Sequence, residues 1–348
     1  MKPRLLDLLG CPQCNGPLTL GDAVDAGHDI TSGTLTCADC GRTYPIRGSI
    51  PRLLPDVLDP AKQKTADAFG WQWLHFVEMH DHFEAQFLDW IWPIQPDYFR
   101  GKVIMDAGCG MGRHAHFAAM YGSTEVVAID FSASVETAFK NIGHLPNVHI
   151  IQGDIDHPPF RLVDGSGDFD FIYSIGVLQF LPDPEHGFRS LARFLKPKGE
   201  IYGWVYGHEN NALIHHFFAP LRKHVTSRLR PSILRAVAWP LAVALIGAIR
   251  ALYVPLHGTR LYRRLPQNDY MYSIHEFPFR YIYNIVFDHL VAPTAVYLRK
   301  EEFQAWFENV GLESVELTWR NQNSWRGRGR RREIAAEPQP RHVPGAQS

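Results

Sequence analysis

The chain has 348 residues, of which 45% are hydrophobic and 20% are charged, and its formal net charge at pH 7 is −1. This length suffices for one substantial α/β domain with smaller attachments, and the composition is that of a soluble globular protein. A net charge near zero gives the whole chain no general affinity for nucleic acid or anionic membranes. The first ten residues lack the sustained apolar core of a signal peptide, so we expect a cytoplasmic protein.

Four of the five cysteines form two Cys-x-x-Cys pairs within residues 1–55. They are Cys11, Cys14, Cys37 and Cys40. This spacing predicts a tetrahedral structural zinc site, with a rubredoxin-like iron site as the alternative. Because so short a module can bury little apolar core, the metal would contribute directly to its folding.

Residues 56–101 are rich in aromatic side chains, and their spacing predicts amphipathic helices that lie over the next domain. Trp71 and Trp73 stand in the segment Phe-Gly-Trp-Gln-Trp. Two interpretations of these indoles are open: one of them caps a bound ligand, or both pack in an aromatic core.

Residues 102–207 begin with a short apolar strand that contains Asp106, followed by a Gly-x-Gly-x-Gly loop and a helix. The loop glycines are Gly108, Gly110 and Gly112. Glycines let the backbone approach a ligand with no Cβ in the way. The next strand ends at Asp130, whose carboxylate suits the two hydroxyls of a ribose. Dinucleotide binders have Gly-x-Gly-x-x-Gly, so the spacing favours a nucleoside ligand without a pyrophosphate.

A third strand ends at Asp154, and a fourth strand and its exit cover residues 168–182. Alternating strands and helices predict a parallel, doubly wound sheet with ligands at the carboxyl ends of its strands. Any one of the strand-terminal acids can instead cap a turn. Three of them in order, together with the glycine loop, favour a ligand site.

The loop and these acids resemble the class I S-adenosylmethionine-dependent methyltransferases. The resemblance implies a doubly wound α/β fold with a seven-stranded, mostly parallel sheet, completed by a helix and a hairpin within residues 301–328. It implies that Asp154 recognises the adenine and that Ser174 lies near the methyl group. The implied cofactor-binding residues are Asp106, Gly108, Gly110, Gly112, Asp130, Phe131, Asp154, Ile155 and Ser174. Lys198 departs from the family, which usually has glycine there.

Residues 1–55 resemble the zinc-ribbon proteins that activate tRNA and protein methyltransferases. Related ribbons are also found fused to methyltransferase domains. Two roles follow from this resemblance: a structural clip for the larger domain, or a surface that contacts a partner, a substrate or a nucleic acid.

Residues 208–300 form a long apolar insertion, in which residues 236–249 run without a charge. Because a spanning helix needs about 20 apolar residues, we expect a lid or a core helix here, with peripheral membrane contact through 222–256 as the alternative. The candidate general bases for an acceptor are His275, Asp288 and His289. Residues 329–348 are expected to be a disordered tail that follows a basic cluster.

These observations predict methyl transfer from S-adenosylmethionine to a small, partly hydrophobic metabolite, on carbon or oxygen. A first alternative is a tRNA or protein acceptor recognised through the ribbon. A second is a scaffold that binds the cofactor without catalysis. The sequence does not indicate the oligomeric state.

Overall fold

The computed structural model describes residues 1–333 except 28, 164, 212–213 and 293–294, so most of the predicted tail lies outside the described residues. A sheet of eleven strands runs through the described part of the chain. The strands are β1 (Leu18–Ala26), β2 (Asp29–Cys37), β3 (Thr43–Arg47), β4 (Ile50–Leu53), β5 (Val103–Ala107), β6 (Glu125–Asp130), β7 (Val148–Gly153), β8 (Phe169–Ile175), β9 (Leu195–Tyr206), β10 (Glu313–Arg320) and β11 (Ser324–Arg330).

Helices cover both faces of this sheet and form the insertion. They are α1 (Pro60–His75), α2 (Phe83–Trp90), α3 (Arg113–Met120), α4 (Ser134–Ile142), α5 (Pro184–Ala192), α6 (Ala219–His224), α7 (Pro231–Ala248), α8 (Val254–Leu256), α9 (Asn268–Ser273), α10 (Phe279–Val291) and α11 (Lys300–Asn309).

Seven of the strands confirm the predicted methyltransferase sheet. Their order is β7-β6-β5-β8-β9-β11-β10, in which the first five strands are parallel and β11 is antiparallel to both of its neighbours. The central strand β6 is buried along residues 125–129, as expected for a parallel strand covered on both faces. Lys198, at the position where the family has glycine, adopts the left-handed conformation with φ of 64°.

The N-terminal ribbon continues this sheet. Its strand β4 pairs in parallel with β7, with Leu53 opposite Gly153. Leu5 and Leu9 are buried in the same hydrophobic cluster as Ile129 of β6. The sequence did not predict this pairing, since nothing in a four-residue strand identifies a partner about a hundred positions away.

Helix α7 is longer than the uncharged run suggested. It continues through a π-helical turn (Ile249–Tyr253) into α8, giving 26 helical residues from Pro231 to Leu256, with Pro240 inside. By length and composition this helix is apolar enough to cross a membrane, and 22% of its most apolar window is buried. Leu234, Ala238 and Ala242 pack it against α10.

The basic cluster at the end of β11 contacts the neighbouring strand β9. Arg328 and Arg330 pair with Glu200 at 2.6 and 3.0 Å, and Arg331 donates to the backbone carbonyl oxygen of Leu195 at 2.6 Å. These arginines therefore fix β11 against β9.

Candidate functional site

The glycine loop connects β5 to α3, and its backbone forms one wall of a cavity. Gly110 has a φ of 54°, and a Cβ there would lie 3.1 Å from Nε1 of Trp73. At Gly108, with φ of 89°, a Cβ would come within 2.4 Å of the side chain of Val177. The backbone conformation therefore favours glycine at both positions, and the space at Gly108 also excludes a side chain.

Asp130, the last residue of β6, accepts hydrogen bonds through both carboxylate oxygens, one of them from this loop. Its Oδ2 accepts a 2.9 Å hydrogen bond from the N–H of Gly110. Its Oδ1 accepts from the N–H and the hydroxyl of Ser132, at 2.8 and 2.7 Å. Because a carboxylate offers about four lone-pair sites, Asp130 retains acceptor capacity toward the cavity that it lines.

The predicted cofactor residues fall into two groups by position. Those that line the cavity are Gly108, Gly110, Asp130, Phe131, Asp154 and Ile155. In the described structure the other three lie behind its wall: Asp106, Gly112 and Ser174. Ser174 donates to the carbonyl oxygen of Ala107 at 2.8 Å. Asp106 is 1% exposed, and burial raises the pKa of its carboxyl to about 7. Ser174 therefore supports the backbone that leads into the loop.

Lys62 of α1 lies at the acid predicted to recognise adenine, although sequence reasoning did not select it. Its ammonium group pairs with both Asp154 and Asp156 while the residue is 7% exposed. Both described hydrogen bonds to Asp154 use its Oδ1 atom, so Oδ2 keeps its acceptor capacity. A lysine 92 positions from its partner gives no sequence signal of this contact.

Helix α1 also places one of the two predicted cap residues over the loop. Trp73 lines the cavity. Trp71 stacks on His75 with 3.8 Å between ring centroids and joins a separate hydrophobic cluster with Phe287. Residues two positions apart on a helix point in nearly opposite directions. The helix therefore directs only one of these two indoles toward the cavity.

Arg113, the first residue of α3, is a second cavity residue that the sequence reasoning missed. Its guanidinium lies within 5.4 Å of the ring centroids of Trp73, Phe83 and Trp90. Three aromatic faces hold this cation by cation–π attraction. It therefore presents a fixed positive charge beside the glycine loop.

The cavity has a volume of about 560 Å³ and extends from the glycine loop into the helical insertion. At the insertion end its wall is mainly apolar and aromatic. This part includes Trp204, Tyr206, Leu241, Tyr253, Ile274 and Phe277. The volume lies in the usual range for small-molecule sites, roughly 300–1,000 Å³.

The three candidate bases occupy different positions. Asp288 and His289 line the cavity, whereas His275 lies outside its described wall, with Nδ1 2.6 Å from the carbonyl oxygen of Tyr272. Burial raises the pKa of Asp288 to about 6 and lowers that of His289 to about 4. A general base acts best with a pKa near the operating pH. Asp288 meets this condition better than His289.

Arg222 of α6 adds a buried positive charge at the same end of the cavity. The residue is 6% exposed and lines the wall. Burial dominates the shifted pKa values of Asp288, His289 and Tyr297, and the charge of Arg222 lowers the pKa of each. Arg222 therefore acts electrostatically on all three of these side chains.

The four cysteines converge within the ribbon. All four Sγ atoms lie within 4.8 Å of one another, with 3.7 Å between Cys11 and Cys40 and 3.5 Å between Cys14 and Cys37. Tetrahedral zinc with Zn–S bonds of about 2.3 Å requires sulfur atoms about 3.8 Å apart. The cluster therefore fits a structural metal ion.

Two parts of the chain match known protein families. A model of methyltransferase domains matches residues 104–199, and a model of Trm112p-like proteins matches residues 2–49. This chain joins a methyltransferase domain to a Trm112p-like domain. The methyltransferase domain belongs to the S-adenosylmethionine-dependent class, as the glycine loop predicted.

Relatives of the methyltransferase domain have varied substrates. Trans-aconitate 2-methyltransferase of Deinococcus radiodurans is 34% identical over 28% of this chain and 35% of that protein. A ubiquinone biosynthesis O-methyltransferase of Caulobacter vibrioides is 29% identical over 46% of this chain and 66% of that protein. This chain spans less than half the length of the first curated relatives that it matches.

One similar structure is a complex of the Haloferax volcanii Trm112 methyltransferase activator with a second protein, which is described as a methyltransferase. The matched chain of that complex is 15% identical to this chain. It covers 78% of this chain and 98% of that chain, with a TM-score of 0.45.

Proposed function

We propose that the protein transfers the methyl group of S-adenosylmethionine to a small, partly hydrophobic acceptor, on carbon or oxygen. The observation that supports this proposal is the cavity, which joins the glycine loop and Asp130 to a chamber walled by aromatic side chains. An acceptor in that chamber would be aligned with the donor, and alignment supplies much of the rate enhancement of a bimolecular transfer.

The residues at the loop end suit the chemical groups of this donor. Asp130 would accept hydrogen bonds from the ribose hydroxyls, and Oδ2 of Asp154 from the adenine amino group. Arg113 would face the methionine carboxylate, and Trp73 would exclude water above the loop. When bound, S-adenosylmethionine supplies an electrophilic methyl group.

At the insertion end, Asp288 would take the proton of an acceptor hydroxyl or carbon acid. The positive charge of Arg222, held in an apolar chamber, would stabilise the resulting anion. His289 would remain neutral near pH 7, because burial lowers its pKa to about 4. Its role in this proposal is to position the acceptor.

For the four-cysteine cluster we propose zinc in a structural role. All four tetrahedral positions would be filled by thiolates, which leaves no coordination site for a substrate.

Cofactor binding can be tested by calorimetric titration with S-adenosylmethionine. Two charge-assisted hydrogen bonds, each of about 1.5–3 kcal/mol, predict that Asp130→Ala weakens binding at least 100-fold. Asp97→Ala, which replaces an exposed acid outside the cavity wall, should bind as the wild type does. Wild-type protein that binds no S-adenosylmethionine would refute the proposal.

The acceptor class can be tested by incubating the protein with methyl-labelled cofactor and separate lipid, small-molecule, tRNA and protein fractions. Label in the lipid or small-molecule fraction is the expected result. Label confined to tRNA or protein would identify the ribbon-dependent alternative. Cofactor binding without labelling of any fraction would favour the scaffold alternative.

A further inference from the structure

The insertion exposes an apolar surface around helix α7 and its continuation, which we call the apolar face. Its exposed members are Ile233, Val237, Trp239, Leu241, Val243, Leu252 and Val254. The same helix buries only one side, through residues such as Leu234 and Ala238. Soluble monomers rarely expose a contiguous apolar patch of this kind unless it binds something.

The charge of the surrounding chain is strongly positive. Residues 210–268 contain eight arginines and one lysine and no aspartate or glutamate, within a chain whose net charge is −1. Arg228 and Arg230 precede the long helix, and Arg260, Arg263 and Arg264 follow it; all five are exposed. An apolar face flanked by cations complements a bilayer that contains anionic phospholipids.

The apolar face is continuous with the cavity. Leu241 is 46% exposed and Phe218 is 41% exposed, and both also line the cavity wall. Leu245 and Tyr253, on the same helix, line the cavity as well. A lipid-soluble molecule that left the bilayer at this face would therefore meet the mouth of the chamber.

We propose that the apolar face docks on anionic membranes and that the acceptor reaches the cavity from the bilayer. The identity of the acceptor rests on the proposed methyl transfer, whereas the docking does not. The helix lies along the membrane surface and does not cross it, because Leu234, Ala238 and Ala242 keep it packed on α10. Its 26 residues would then extend about 39 Å along the interface.

Co-sedimentation of the full chain with vesicles tests the docking. We expect binding to vesicles of phosphatidylcholine mixed with phosphatidylglycerol, and much weaker binding to phosphatidylcholine alone or at high salt. Val243→Asp should abolish binding. Val163→Asp, at a similarly exposed valine outside the apolar face, should leave it unchanged.

A second pair of variants tests the contribution of the arginines to vesicle binding. Arg264→Gln should weaken binding to anionic vesicles about fivefold, the effect of roughly one favourable contact between an arginine and an anionic surface. Arg161→Gln, at an exposed arginine elsewhere, should not.

Calorimetric titration with S-adenosylmethionine on the same preparations separates the two proposals. Normal cofactor binding without vesicle binding would overturn membrane docking and leave the proposed function standing. Light scattering completes the test, since a stable dimer that binds no vesicles would assign the apolar face to a second copy of the chain. Equal loss of vesicle binding in Val243→Asp and Val163→Asp would also overturn the proposal.

Discussion

If the ribbon and the methyltransferase domain share one core, a cavity made in the ribbon must destabilise both. Leu53 tests this coupling, because it is fully buried in β4 and pairs with β7 immediately before Asp154. Leu53 belongs to the hydrophobic cluster that also contains Ile129 and Ile151 of the methyltransferase sheet. Leu53→Ala would leave a cavity surrounded by both parts of the chain.

A buried leucine-to-alanine change costs about 2–5 kcal/mol, a large share of a typical stability of about 5–15 kcal/mol. For a chain of this size we expect the midpoint of thermal unfolding to fall by roughly 3–7 °C. Scanning calorimetry should show one transition in the wild type and one, at lower temperature, in Leu53→Ala. Calorimetric titration should also show weaker binding of S-adenosylmethionine by the variant.

Val24→Ala is the matched control, since Val24 of β1 is 57% exposed and its truncation should change stability by less than about 0.5 kcal/mol. Two separate unfolding transitions would refute the shared core if Leu53→Ala lowered the midpoint only of the transition of the ribbon.

Four further predictions concern the metal and three buried charged groups. A strong chelator should lower the midpoint temperature of the same unfolding transition that Leu53→Ala lowers, because the metal holds the strands that support β4. Circular dichroism during heating would measure this midpoint. Lys62→Met should cost about 3–5 kcal/mol in urea denaturation, because it leaves two carboxylates without their cation, while Lys62→Arg should recover part of the loss. Burial raises the pKa of Asp106 from 3.8 to about 7, so between these pH values the native state binds a proton that the unfolded chain lacks. The free energy of unfolding should therefore fall as pH rises from about 4 to 7. Asp106→Asn should flatten that slope. Because the pKa of Asp288 is raised to about 6 by burial, kcat/KM should rise through about pH 6, and a profile unchanged in Asp288→Asn would exclude this residue as the base.

The sequence predicted the parts of the fold that local pattern determines. Alternating apolar runs and glycine turns predicted the seven-stranded sheet, and the Cys-x-x-Cys spacing predicted a cluster that the structure assembles. Asp130 lines the cavity because it ends a parallel strand, and the cavity lies at the carboxyl ends of these strands. These features depend on neighbours in the chain or on the regular geometry of one element.

Features that depend on distant contacts were missed. The pairing of Leu53 with Gly153 and the contacts of Lys62 with Asp154 join segments about a hundred residues apart. The uncharged run of residues 236–249 underestimated the length of the helix from Pro231. Pro240 is accommodated within α7, and Arg250 is exposed. The whole-chain net charge also concealed the strongly basic stretch of residues 210–268.

The pairing of β4 with β7 has a consequence for solubility. A free β7 would be an edge strand of apolar side chains with unpaired backbone groups, which is a template for association between molecules. The ribbon covers that edge and ends the sheet instead at β1, whose residues 21–26 are exposed and include Asp22 and Asp25. Because loss of the metal lowers the stability of the ribbon that covers this edge, we expect the metal-free protein to aggregate as it unfolds.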